Sequence, residues 1–98
     1  MRLQHHDPKL ARVEDDANES LGLGEGIDRK FRFLLGYIRA ALDERDFYKM
    51  KSLHYEKLKG KRSHQRSMRL NDQWRLILEL QKDSRGKLVV VISVEDYH

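Results

Sequence analysis

The chain has 98 residues, a formal net charge of +4, 37% charged and 39% hydrophobic residues, which describes one small domain (residues 1–98) with a thin core and a densely ionic surface. The absence of cysteine excludes a disulfide scaffold, cysteine-ligated zinc, an iron–sulfur cluster and a thiol nucleophile, and it fits a reducing compartment. No apolar run approaches the roughly 18 residues of a membrane span, and Met1 to Asp7 lacks the apolar segment of a signal peptide, so a cytoplasmic location and no membrane partner are expected.

Asp7 is a good N-cap and Pro8 suits a first helical turn, so the chain predicts a helix over about 8–18 with Leu10 and Val13 on its apolar face. Residues 20–26 place Gly22, Gly24 and Gly26 in a connector without the lysine of a phosphate loop; they read as a flexible hinge. Ile27, Phe31, Leu35, Ile38 and Leu42 then recur at helical spacing and predict a helix over about 27–44. Gly36 inside it costs about 1 kcal/mol relative to alanine, which implies close packing or local weakness. Asp43 to Asp46 ends this helix or leads into another short turn.

A basic loop around Leu58 to Lys61 precedes three predicted strands, 65–70, 74–81 and 87–95, joined by turn-rich connections of hairpin length. In the first, Met68 and Leu70 alternate with Ser67, Arg69 and Asn71, which buries the apolar pair and turns Arg69 to the open face. Trp74, Leu76, Leu78 and Leu80 form the apolar face of the second, and Trp74 is expected in the core. The third, Leu88 to Val94, is nearly continuous and suits a central position. Helices followed by an antiparallel meander predict an α+β domain.

The charge is unevenly spread. Residues 1–50 hold nine Lys or Arg against ten Asp or Glu, whereas Lys57 to Arg75 holds seven cations against the single acid Asp72. Such a run is ordinarily a solvated face, but here it coincides with a predicted strand that presents Arg69, a platform suited to phosphate.

Three motifs in this half stand in order: Leu58-Lys59-Gly60, Ser67-Met68-Arg69-Leu70-Asn71-Asp72-Gln73-Trp74-Arg75, and Glu95-Asp96-Tyr97-His98. Together they resemble the HigB branch of the RelE/ParE toxin superfamily over roughly residues 53–98, with looser agreement in the N-terminal helices. The resemblance implies a RelE/ParE-like fold, N-terminal helices packed on an antiparallel sheet, with a short strand ahead of the first helix in many members. Met1 to His6 has poor strand patterning.

The same resemblance implies a ribosome-dependent endoribonuclease that cuts messenger RNA and is paired with a cognate HigA-like antitoxin. Its expected partners are ribosome and message, with no small-molecule cofactor and no metal. Cleavage through the ribose 2′-hydroxyl needs a base, cations to stabilise the phosphorane and an acid for the leaving oxygen. Arg75 offers a planar fork for two phosphate oxygens, and Lys59 a mobile charge in an electrostatic or acid–base role. His98 is the leading proton-transfer group, Asp96 orients it or takes a proton, and Tyr97 offers a ring for base stacking or closes the sheet end. Lys57, Lys61, Arg62, Arg66 and Arg69 are the candidate RNA-binding residues, with solvation of the sheet as the plain alternative for Arg62 and Arg69.

The chain departs from some relatives by carrying Glu56 and Lys57, not histidine, just before the Leu-Lys-Gly element; His54 lies two residues away. His5 and His6, on a presumed loose terminus, read as incidental, and His64 has no partner pattern. Two other functions remain open: a gyrase-inhibiting toxin of the same fold that does not cut RNA, and a non-catalytic basic RNA-binding or ribosome-binding module.

Overall fold

A computed structural model describes residues 1–96; the expectations placed on Tyr97 and His98 lie outside the described residues. The elements in chain order are β1 (Arg2–His5), α1 (Pro8–Asp15), α2 (Glu25–Ala40), α3 (Arg45–Lys49), β2 (Glu56–Lys57), β3 (Gln65–Arg69), β4 (Trp74–Asp83) and β5 (Gly86–Asp96), with single 3-10 turns at Lys51–Leu53 and Gly60–Arg62. The sheet order is β1-β5-β4-β3-β2. Four strands are antiparallel neighbours, but β1 runs parallel to β5, with Arg2 to His5 opposite Leu88 to Val91. The α+β class is as expected, while the sheet is mixed because a strand outside the meander closes its edge.

β5 holds the central place that its unbroken apolar run predicted. Val89 and Val91 are fully buried on the helix side, with Leu76, Leu78 and Met68 beside them and Phe31, Leu34, Leu35 and Ile38 of α2 above. Trp74 is half-buried at the margin of this core. The β4–β5 ladder carries a bulge between Ile77 and Leu78, which increases local twist and redirects the strand end that bears Glu95 and Asp96.

α1 starts as the sequence suggests, α2 starts two residues earlier and takes Glu25 and Gly26 from the expected connector, and both stop sooner. Asp7 caps α1 by accepting from the Lys9 amide at 2.9 Å, with Pro8 in the first turn. The helix ends at Asp15 because Arg32 of α2 donates to the carbonyls of Val13 (2.8 Å), Asp16 (3.2 Å) and Glu19 (2.7 Å), holding the outgoing chain away from helical geometry. The connector is therefore not a loose hinge. Buried Asp28 accepts from Ser20 Oγ at 2.7 Å and from the Leu21 amide at 2.9 Å, and Gly22 and Gly24 supply the positive φ values (80° and 110°) that the path requires.

α2 ends at Ala40, four residues early. The Met1 ammonium donates to the carbonyls of Ile38 (3.1 Å), Arg39 (2.9 Å) and Ala41 (2.5 Å), a cation placed where the helix dipole is negative. Ala41 takes the last buried place and Leu42 is 89% exposed, so its helical spacing is coincidental. Gly36 is exposed, and a Cβ there would meet nothing within 4 Å; of the two readings offered for it, weakness without a packing reason is the one that holds.

His5 is likewise no incidental residue of a loose terminus. It lies on β1 with its side chain 8% exposed, and Nε2 stands 2.7 Å from Glu14 Oε1, while Arg39 donates two bonds to the same carboxylate at 2.7 and 2.9 Å. One carboxylate thus ties β1, α1 and α2 together.

Candidate functional site

The site begins with strand register. In the β3–β4–β5 ladders Arg69 stands opposite Arg75, and Arg75 opposite Glu95; the adjoining row is Ser67, Ile77 and Ser93. Directly opposed residues share a face, so these side chains lie on the side away from the helices. Two opposed guanidinium groups repel, and acids flank them on both sides: Asp72 pairs with Arg69 and Glu95 adjoins Arg75. Arg75 is nonetheless 9% exposed, far more enclosed than a residue on an open sheet face.

The cover is the basic loop. The Leu58 amide donates to the Gln65 carbonyl at 3.1 Å, Gly60 adopts a left-handed φ of 65°, and the turn Gly60–Arg62 brings Arg62 over the strand ends. Its Nη1 and Nη2 donate to the two oxygens of Glu95 at 2.8 Å each, and Nε donates to Gln65 Oε1 at 2.8 Å. Ser93 Oγ adds a bond to Glu95 at 2.6 Å. The result is a cleft of about 140 Å³ lined by Leu58, Arg62, Ser67, Arg75, Ile77, Glu95 and Asp96.

Arg62 holds the Glu95 carboxyl below the usual glutamate range, and Glu95 raises the Arg62 pKa in return. Asp96 is exposed at the mouth, where Gln73 Nε2 donates to it at 3.1 Å. Asn71 Oδ1 accepts from the amides of Gln73 (2.8 Å) and Trp74 (2.7 Å), forming the turn that presents both Asp72 and Gln73. Ser67 Oγ is buried without a hydrogen-bond partner among the described residues, an arrangement suited to a ligand oxygen in the cleft.

The expected site residues separate accordingly. Arg75, Asp96 and Arg62 line one cleft, and Arg69 borders it. Lys59 is exposed on the loop whose Leu58 and Arg62 line the cleft, and Lys61 is exposed in the same turn. Arg66 lies on the helix side with Lys57 as its ladder partner; its Nε is 3.7 Å from Glu44 Oε2, where Tyr55 donates at 2.7 Å. Burial, then the Glu44 hydrogen bond, raises the Tyr55 phenol well above its ordinary value, so it remains a donor there.

His54, held at φ 46°, reaches Arg69 with its Nε2 3.3 Å from Nη1, which joins it to the arginine row. Sequence reasoning missed Ser67 and Glu95 as cleft residues. The alternation that puts Ser67 on the same face of its strand as Arg69 was available as a signal; the bidentate partner of Arg62 was not, because 33 residues separate it from Glu95. Among the described residues no group of three His, Cys, Asp or Glu could hold a metal ion, and no helix is long and apolar enough to cross a membrane.

Helices on a five-stranded mixed sheet make an α+β fold that is shared with solved toxin structures. A "YoeB/ParE toxin" from Agrobacterium tumefaciens is similar at a TM-score of 0.61 and 15% identity, with 100% of each chain covered. YafQ from E. coli strain BL21(DE3) is similar at 0.60 and 13%, covering 98% of this chain and 93% of that one. A histidine-to-glutamine mutant of YafQ from E. coli is similar at 0.57 and 13% with the same coverage. At these identities the likeness concerns the fold.

The sequence narrows the class. Residues 3–98 match the HigB-like toxin family, the RelE-like toxins of type II toxin–antitoxin systems, and the chain belongs to that family. No curated protein matches the chain. Membership in a toxin–antitoxin family implies an antitoxin partner.

Proposed function

We propose that the protein is a cytoplasmic, ribosome-dependent endoribonuclease that cleaves messenger RNA by attack of a ribose 2′-hydroxyl on the adjacent phosphate, and that a HigA-like antitoxin restrains it. The observation that carries the reading is the enclosure of Arg75 in a cleft edged by Asp96, where the Asp-Tyr-His run begins, within a chain of this toxin family.

In this reading the Arg75 guanidinium stabilises charge on the phosphorane oxygens, an interaction that an enclosed site strengthens. Arg69 supplies a second fork from the adjacent strand, and Lys59 reaches in from the loop as a point charge or proton donor. His98 exchanges the protons of attack and departure, Asp96 orients it, and Tyr97 stacks a base. Ser67 Oγ bonds a phosphate or ribose oxygen. Lys57 and Lys61 act outside the cleft, where exposed cations contribute salt-sensitive attraction to RNA, whereas Arg66 is half-buried on the helix side beside Glu44 and serves the scaffold.

Purified protein added to translating ribosomes is expected to cut message in codon register and leave 2′,3′-cyclic phosphate ends. Intact message in the presence of folded protein would overturn the nuclease reading. Growth inhibition that survives combined Arg75→Ala and His98→Ala substitution would instead favour a gyrase-directed toxin.

A further inference from the structure

We infer that Arg62 and Glu95 are positioning residues, a clasp that holds the Lys59 loop against the cleft, and that Arg62 is not itself a phosphate contact. The inference deepens the nuclease reading, and its catalytic consequence rests on that reading.

The bonding of Arg62 is the first support. Both ends of its fork are committed to Glu95 and its Nε to Gln65, a bidentate geometry that fixes direction as well as distance. Glu95 is held in turn: it lies on β5 within the ladder opposite Arg75 and accepts from Ser93 Oγ. The clasp therefore anchors the loop to the strand that carries Arg75's neighbour and Asp96. Gln65 extends the anchor, since its Nε2 donates to Glu79 of β4 at 3.1 Å.

The loop itself is the second support. Lys59 has extended backbone, Gly60 is left-handed, and the turn closes through a long 3.4 Å bond from the Arg62 amide to the Lys59 carbonyl and a 3.1 Å bond from the Ser63 amide to Gly60. Gly60 to Arg62 bury no side chain. Such a turn has little stiffness of its own: the Leu58 amide fixes its incoming end on Gln65, and the Arg62 attachment, three residues beyond Lys59, fixes its outgoing end. Displacement of a catalytic group by about 1 Å costs on the order of a hundredfold in rate.

Exposure is the third. The two side chains are 45% and 37% exposed, a setting in which an ion pair contributes little to global stability. Its effect is local.

The test compares wild-type protein with Arg62→Gln, Glu95→Gln and the double variant. Amide hydrogen exchange at Ser63 is expected to rise about tenfold in each single variant and no further in the double, with the thermal midpoint of unfolding unchanged. On ribosome-bound message, kcat is expected to fall roughly ten- to a hundredfold in both single variants while KM stays within about twofold.

Tighter RNA binding by Glu95→Gln, with weaker binding and a shallower salt slope for Arg62→Gln, would overturn the inference, because it would make Arg62 a phosphate contact that Glu95 masks. Unchanged exchange at Ser63 in both variants would overturn it too. If wild-type protein leaves message intact while exchange rises in both variants, the clasp stands and the nuclease reading falls.

Discussion

Two arginine–glutamate pairs of nearly equal geometry do different work in this protein. Arg39 meets Glu14 through two bonds of 2.7 and 2.9 Å, and Arg62 meets Glu95 through two of 2.8 Å. Their surroundings differ. Glu14 is 14% exposed, with the enclosed His5 ring on the same Oε1 oxygen that Arg39 Nη2 contacts, and it joins three elements of the scaffold. The Arg62–Glu95 pair faces solvent at the cleft and joins a loop to one strand. Desolvation sets the cost of breaking an ion pair, so bond lengths alone do not tell a fold-supporting pair from a site-supporting one.

The contrast is sharpest at Arg75, the cleft's enclosed charge. Arg75→Ala is expected to lower message cleavage by at least about a hundredfold, and Arg75→Lys to recover little because a point charge cannot replace a planar fork; cleavage rates and circular dichroism on the same samples check that the loss is chemical.

Glu14→Ala is expected to reverse that pattern. It leaves Arg39 and the His5 ring without their carboxylate and should cost about 2 kcal/mol, read as a fall of roughly 10 °C in Tm with kcat unchanged. pH dependence follows. Arg39's hydrogen bonds, more than those of His5, hold the Glu14 carboxyl below its ordinary value. Its contribution is therefore complete above the unfolded carboxyl pKa and lost as pH falls through the lower folded value. Glu14→Gln should flatten the acid limb of stability against pH, and an unchanged limb would remove this pair from the scaffold's account.

Smaller effects belong to the α1–α2 connector and to α2. Asp28→Ala is expected to cost about 1–2 kcal/mol by orphaning Ser20 and the Leu21 amide, and to expose residues 20–26 to proteolysis. Gly36→Ala fills open solvent on a helix interior and should raise stability by about 0.5–1 kcal/mol; denaturant titration resolves both changes.

Much of the scaffold was legible because α2, β4 and β5 are long enough for periodicity to show. Ile27, Phe31, Leu35 and Ile38 are all buried as spaced, and the β5 run is central. What was not legible is short: β1 has four residues and β2 two, Phe47 and Leu53 reach the core from one-turn segments, and Tyr55 does so from the link ahead of β2. Their places are set by tertiary contacts that no local pattern carries. The cleft divides in the same way. Alternation along β3 turned Arg69 to the correct face, put Met68 and Leu70 inside and, read one step further, puts Arg66 on that inner face too, against an RNA-binding role; it could not show that a loop roofs Arg75.

The position of β5 has a consequence for biosynthesis. It is the latest of the five strands to be synthesised, yet it lies between β1, the earliest, and β4, so β1 has no sheet to join until Gly86 to Asp96 has been made. A nascent chain that stalls before residue 86 lacks its middle strand, Glu95 and Asp96, and with them the cleft. Assembly dominated by such distant pairings is slow. Until β5 is complete the chain has no assembled cleft, so whatever that cleft acts on is spared while the protein is being made.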